Sequence, residues 1–253
     1  MNSGRRAFLK VTALSIIGVW AKPVLGGDGP SKFTRDPKEL LAKRWAMVIN
    51  PRKCSGGCKE CIDACHRVHN VPNFDNSKDE IKWIWNEPFR DAFPGQEHTY
   101  LEEDFKKRPV VVLCNHCNNP PCVRVCPTKA TFRRKEDGIV VMDYHRCIGC
   151  RFCVAGCPYG ARSMNFRDPR PFIKEINPEF PTRTKGVVEK CNFCEERLAK
   201  GLLPACVAAC RERAMVFGDL EDSQSEVRKL LQTHFTIRRK PELGTNPQVY
   251  YVV

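Results

Sequence analysis

Sixteen cysteines carry the chemistry of this sequence, and they fall into four groups of four with none left over. The first group is Cys54, Cys58, Cys61 and Cys65; the second is Cys114, Cys117, Cys122 and Cys126. The third is Cys147, Cys150, Cys153 and Cys157, and the fourth Cys191, Cys194, Cys206 and Cys210. In every group the last two cysteines are separated by three residues, a helical spacing that sets both thiolates on neighbouring faces of one turn. Thiols clustered at short, ordered intervals point to metal rather than to disulfides. The third group, in "HRCIGCRFCVAGCPYGA" (145–161), has the spacing C-x2-C-x2-C-x3-C followed by proline, the run that ligates iron in [4Fe–4S] clusters.

A cubane needs four soft thiolates, and one tight loop supplies three of them. In two-cluster ferredoxins the fourth cysteine of such a run binds the neighbouring cluster instead. The proline after it fixes φ, has no N–H, and turns the chain away. A group that gives three ligands to one cluster and one to the next explains why groups come in even numbers. The second and third groups are close in sequence and both end in Cys-Pro (Cys126-Pro127, Cys157-Pro158), so they pair; the first and fourth pair across them. No residue looks arranged to bind a substrate, activate a nucleophile or shuttle protons, which favours an electron carrier over an enzyme.

Other metal chemistries fit less of the chain. The fourth group alone, C-x2-C-x11-C-x3-C, would pass as a zinc site, and a zinc-structured binding protein is the remote alternative; the third group would not pass. Covalent haem wants C-x-x-C-H, and "CIDACH" (61–66) is one residue too long. His66, His69, His116 and His145 lie near the cysteines, but sixteen thiolates already saturate four clusters, so they read as hydrogen-bond donors or solvent-facing residues. Lys53, Arg124, Arg146, Arg151 and Lys190 are also near; cations and N–H donors raise a cluster's potential, and a solvated-surface role is the other reading.

The cysteine groups need a frame. Each follows a β-like run: "WAMVIN" (45–50), "PVVVL" (109–113), "GIVVMD" (138–143) and "GVVEK" (186–190). Three are followed by a second candidate strand: "ATFRR" (130–134), "ARSMNF" (161–166) and "AMVFGD" (214–219). Strand, cysteine loop, short helix, strand is thus an internal repeat. The expected fold is α+β: two ferredoxin-like two-cluster modules, the central one inserted into a split outer one, with loop insertions. The expected boundaries are 44–70 plus 186–219 for the outer module and 109–166 for the central one. Residues 71–108 are an insertion, 167–185 a proline-rich, basic, exposed linker loop, and 220–253 a C-terminal extension with one short helix in "SQSEVRKLLQTH". In the insertion, Trp83 and Trp85 stand two apart, as in a strand with one face on the core; a docking surface for a partner is the alternative.

The formal charge is +13. Basic side chains are spread throughout and are not interleaved with aromatics along one stripe, so nucleic-acid binding is a weak reading. The N-terminus, "MNSGRRAFLKVTALSIIGVWAKPVLGG", resembles a twin-arginine export signal: Arg5 and Arg6, then Phe8-Leu9-Lys10, then an apolar run too short to span a bilayer. It departs from the usual form in placing Gly4 between Ser3 and the arginines. Residues 1–26 hold four basic and no acidic side chains, so their removal would leave +9. That route carries folded, cofactor-loaded proteins, which suits a cysteine-rich cofactor protein better than a disulfide scaffold. The expected location is the periplasm or the outer face of the cytoplasmic membrane.

From about residue 44 to the end the chain resembles the four-cluster iron–sulfur subunits of membrane oxidoreductases, the group that includes those of dimethyl sulfoxide, polysulfide and tetrathionate reductases. "CNHCNNPPCVRVCPTKATFRRKEDGIVVMDYHRCIGCRFCVAGCPYGAR", "FGDLEDSQSEV" and "PELGTNPQVYYV" carry the likeness. "KRWAMVIN", "CHRVHNVPN" and "KDEIKWIW", together with the export signal, look most like the exported O subunit of the Dsr transmembrane complex of dissimilatory sulfur metabolism. The resemblance implies four ligand sets: Cys54, Cys58, Cys61 and Cys210; Cys65, Cys191, Cys194 and Cys206; Cys114, Cys117, Cys122 and Cys157; and Cys126, Cys147, Cys150 and Cys153. It also implies an integral membrane, quinone-interacting partner, and a multihaem cytochrome c or, in a reductase, a molybdopterin subunit. A nitrite-reductase system is a further member of that alternative. Departures from the family pattern are the extra residue between Cys54 and Cys58 and the lack of proline after Cys65 and Cys210.

Overall fold

The computed structural model describes residues 37–54 and 57–253; the expected export signal lies outside the described residues. The fold is α+β. In chain order the strands are β1 (Trp45–Ile49), β2 (Ile84–Pro88), β3 (Pro109–Leu113), β4 (Thr131–Arg133), β5 (Val140–Met142), β6 (Ser163–Met164), β7 (Val188–Glu189), β8 (Met215–Asp219), β9 (Thr236–Ile237) and β10 (Val249–Val252). The helices are α1 (Glu60–Val68), α2 (Phe89–Ala92), α3 (Glu103–Lys107), α4 (Pro121–Arg124), α5 (Phe152–Ala155), α6 (Glu195–Leu198), α7 (Ala205–Ala208) and α8 (Glu226–Thr233). No helix among the described residues is long and apolar enough to cross a membrane.

The main sheet has the order β8-β1-β10-β9. β1 runs antiparallel to β8 and parallel to β10, with Met47 opposite both Phe217 and Val249. Alternation along the strand sorts its side chains by face. Trp45, Met47 and Ile49 enter the large core with Met215, Phe217, Val249 and Tyr251. Ala46 and Val48 face the other way, against Val227, Leu230 and Leu231 of α8. Burial on both faces is why "WAMVI" is continuously apolar. α8 begins where the Ser225 hydroxyl accepts the Arg228 N–H at 3.1 Å, a side-chain N-cap.

Three two-stranded sheets complete the frame: β2 with β3, β4 with β5, and β6 with β7, all antiparallel. β3 takes its partner from the insertion, Trp85 lying opposite Val112. Trp83, Ile84 and Trp85 are all buried, so these tryptophans belong to the core and not to a docking surface, and they do not alternate as a one-faced strand would. Trp83 tolerates complete burial because its indole N–H donates to Glu189 Oε2 at 2.9 Å.

The linker 167–185 is a loop, but not a wholly exposed one. Phe180 packs edge-on against His69 and Trp83, and Arg183 is buried. The reason is Glu189 of β7, whose carboxylate meets Arg183 at 2.6 Å with both side chains fully buried. Asn165 also donates to this carboxylate at 2.6 Å. Breaking such a pair leaves one charge stranded in low dielectric, at a cost of about 3–5 kcal/mol. Glu189→Gln is therefore expected to lower stability by that amount, measured as the shift in denaturant midpoint. A change within about 0.5 kcal/mol, the range of an ordinary surface substitution, would show that Arg183 is solvated in solution.

Candidate metal centres

Each cysteine group occupies a loop that leads into a helix, a single turn in the last three groups and the nine-residue α1 in the first. Cys61 and Cys65 lie on α1, and Cys122, Cys153 and Cys206 lie on α4, α5 and α7. Cys126, Cys157 and Cys210 follow those last three turns by two residues. The repeat extends to the backbone. The residue just before the second cysteine has positive φ in every group: Gly57 (80°), His116 (42°), Gly149 (67°) and Phe193 (56°). Three residues after the last cysteine, Lys129, Gly160 and Arg213 are also left-handed. The first group breaks this second pattern because α1 continues past Cys65 to Val68.

These turns aim amide N–H groups at sulfur. Phe193 N–H donates to Cys191 Sγ (3.4 Å), Ala205 N–H to Cys194 Sγ (3.3 Å) and Ala214 N–H to Cys210 Sγ (3.2 Å). At Cys126, burial pushes the thiol up, but the N–H groups of Thr131, Ala130 and Thr128 outweigh it and the net direction is down. Most of the other thiols move up. Burial, then Cys54, Cys210 and Cys58, push Cys61 to about 12; burial, then Cys114, push Cys117 and Cys191 to about 12. Burial with Cys194, Cys191 and Cys206 raises Cys65 far above the usual thiol range.

The cysteines converge across groups. Cys54, Cys58, Cys61 and Cys210 line one cavity of about 380 Å³, with Arg108 and Glu60 at its wall. Cys114, Cys117, Cys122 and Cys157 line a second hollow. Cys65 has Cys191, Cys194 and Cys206 around it. Cys147 lies near Cys153. The sets also meet in series, since Cys61 acts on Cys206, Cys114 on Cys191, and Cys122 on Cys153. Cys65, Cys191, Cys194 and Cys206 are all buried, whereas Cys58 is exposed and Cys126, Cys147 and Cys150 are half-buried.

These residues fit iron–sulfur clusters. Soft donors stand in fours in three places, amide N–H groups are turned to several of the sulfurs, and crowding that penalises bare thiolates is relieved by a cation bound among them. Two of the nearby histidines are engaged by protein groups, while the buried Nε2 atoms of His66 and His116 have no hydrogen-bond partner among the described residues. His116 is buried and neutral, lowered by burial and then by Lys190 and Arg162; its Nδ1 accepts the Val140 N–H at 3.1 Å and its ring stacks on Phe193 at 3.6 Å. His69 contacts the Cys65 carbonyl through Nδ1 and Glu196 through Nε2, both at 2.9 Å. His145 is exposed. Sequence reasoning missed Arg162, whose guanidinium reaches Cys122 Sγ at 3.1 Å; its only signal was its place four residues after Cys-Pro.

The comparisons agree with this class of site. A family model described as a 4Fe-4S dicluster domain matches residues 109–169 and 177–220. The chain is 38% identical to the Hdr-like menaquinol oxidoreductase iron-sulfur subunit 1 of Archaeoglobus fulgidus, over 98% of this chain and 97% of that protein. It is 36% identical to the B subunit of the tetrathionate reductase of Salmonella typhimurium (100% and 89%) and 35% identical to the menaquinone reductase iron-sulfur cluster-binding subunit of Nitratidesulfovibrio vulgaris (85% and 90%). The fold and site thus define an iron–sulfur electron carrier. The chain belongs to the family of iron–sulfur subunits of respiratory oxidoreductases; it is an electron-transfer subunit that holds four [4Fe–4S] clusters.

Gly149 shows how tightly the third loop is built. A Cβ there would stand 2.4 Å from the Gly186 carbonyl oxygen, whereas at Gly160, with a similar φ of 64°, nothing lies within 4 Å. Both alanine variants carry the left-handed penalty of about 1–2 kcal/mol. Gly149→Ala is expected to lose cluster absorbance at a lower denaturant concentration than Gly160→Ala. Equal midpoints would mean that the approach to Gly186 is not tight in solution.

Proposed function

We propose that the protein relays single electrons between an integral membrane, quinone-interacting subunit and a multihaem cytochrome c in a complex of dissimilatory sulfur metabolism, as the O subunit of a Dsr-type assembly. The observation that carries the relay is the convergence of thiols in series: in three sets one cysteine of a group lies with three of another, and Cys61 comes near Cys206, Cys114 near Cys191 and Cys122 near Cys153. When bound, the clusters supply one-electron redox steps; the chain supplies their spacing, burial and N–H···S donors. The proposed ligands are Cys54, Cys58, Cys61 and Cys210; Cys65, Cys191, Cys194 and Cys206; Cys114, Cys117, Cys122 and Cys157; and Cys126, Cys147, Cys150 and Cys153.

Supporting a split outer module are the pairing of β1 with β8 and the packing of α1 on α7; supporting a central one are the β4–β5 pair and the packing of α4 on α5. Residues 1–26 would direct export by the twin-arginine route, placing the chain at the outer face of the cytoplasmic membrane beside its partners. The menaquinol- and menaquinone-linked names of two relatives favour the quinone side. The whole-chain likeness to an iron–sulfur chain of tetrathionate reductase favours a second reading, in which the redox partner is a molybdopterin reductase subunit.

Anaerobically purified protein is expected to hold about sixteen iron atoms and as many acid-labile sulfides per chain, with coupled cubane EPR signals on reduction. Zinc with little iron would overturn the relay, and the partners retained in a mild-detergent pull-down decide between the two complexes. Cys157→Ser is expected to impair the cluster held by Cys114, Cys117 and Cys122. Loss of the signal from the Cys147, Cys150 and Cys153 cluster alone would refute ligation across groups.

A further inference from the structure

Three arginines are buried among the described residues. Arg183 pairs with Glu189 and Arg239 with Glu87, each at 2.6 Å. For Arg162, no carboxylate partner exists among the described residues, although it is only 4% exposed. Its Nη2 donates to Cys122 Sγ at 3.1 Å and to Thr131 Oγ1 at 2.7 Å, and its Nη1 points at Met142 Sδ, 3.7 Å away. The Thr131 hydroxyl spends its own proton on the Val141 carbonyl at 2.8 Å, so it can only accept from Arg162. The guanidinium is thereby held in one orientation. Cys153 lies against the same charge, and Cys114 is also within its reach.

A buried, uncompensated cation is strongly destabilising, and an arginine cannot escape by losing its proton. Its counter-charge must come from its neighbours, and those neighbours are sulfurs of two different ligand sets. A thiolate-ligated cubane is a net anion, so a pair of them flanking Arg162 supplies what a carboxylate supplies elsewhere. We propose that Arg162 is a shared potential-setting residue, one fixed guanidinium between the cluster of Cys122 and the cluster of Cys153 that raises the reduction potential of both. This rests on the ligand sets proposed above. The physical reason is that reduction adds negative charge, and a nearby fixed cation stabilises the reduced form more than the oxidised one. The same charge offsets repulsion between electrons on adjacent clusters. The set of Cys65, Cys191, Cys194 and Cys206 faces the Glu196 carboxylate instead and serves as an internal control.

The test is an EPR-monitored redox titration of the anaerobically purified full chain, comparing Arg162→Gln and Arg162→Lys with the parent protein. In Arg162→Gln, the reduced-to-oxidised ratio of both central clusters at a fixed potential is expected to fall at least tenfold, about 59 mV for a one-electron couple. Arg162→Lys keeps a positive charge, because the anionic clusters beside it favour the ammonium over the amine, and is expected to hold both ratios within about threefold of the parent. The two outer clusters are expected to stay unchanged in both variants. A shift in one central cluster alone, an equal shift in all four, or a lysine variant that behaves as glutamine overturns the proposal. If Arg162→Gln fails to retain the central clusters, parental midpoints in Arg162→Lys support it, and loss of those clusters there too assigns Arg162 a shape-filling role and overturns it. Iron-free parent protein would overturn the relay and this proposal together, whereas four clusters with unshifted potentials would overturn this proposal alone.

Discussion

A short peptide loop can reach three corners of a cube but not the fourth. That constraint governs the architecture. A cysteine group that gives three ligands needs a thiol from elsewhere to close its cube, and the fold brings thiols of distant segments together in three places. Cys210 reaches the hollow of Cys54, Cys58 and Cys61 only because β8, which follows it, is hydrogen-bonded along the whole of β1, which precedes them. Cys65 meets Cys191, Cys194 and Cys206 because α1 packs on α7. Sheet pairing and thiol convergence are two consequences of one closure.

Local backbone conformation does the fine positioning. A left-handed residue before the second cysteine recurs in all four groups, although glycine fills it only twice. His116 and Phe193 accept the same conformation and recover part of its cost by stacking on each other at 3.6 Å. Their contact lies where Cys114 comes near Cys191, so the left-handed residues of two loops also form the seam between two cysteine groups.

Buried charge is handled according to what stands nearby. Where protein alone surrounds an arginine, a carboxylate answers it, as Glu189 answers Arg183 and Glu87 answers Arg239. Where the neighbours are cysteine sulfurs, no carboxylate is present beside Arg162 among the described residues. Glu196, beside Cys65 and Cys194, instead takes hydrogen bonds from His69 and Asn192 at 2.9 Å each. The charges beside the cysteines thus differ in sign, a guanidinium at Cys122 and a carboxylate at Cys65 and Cys194, and the charge around a cluster is one of the terms that set its potential.

Much of this was legible in the residues. The cysteine spacing named the metal chemistry, because ligand intervals are local. Apolar runs located β1, β3, β5, β7 and β8, and the two runs after the central groups located β4 and β6, because alternation and burial are written along each strand. The short helix expected in "SQSEVRKLLQTH" stands at Glu226–Thr233. What stayed hidden were long-range partners. Nothing local told that β10 would lie parallel beside β1, that Trp83 would donate to a glutamate 106 residues away, or that Arg183 in a proline-rich loop would be buried. Only its place four residues after Cys-Pro set Arg162 apart from the many surface cations. The sequence by itself determined which atoms bind iron chemistry, since that depends on donor type and interval. Only the tertiary structure decided which charges those atoms face, since electrostatic neighbours are set by distance in space and not by distance along the chain.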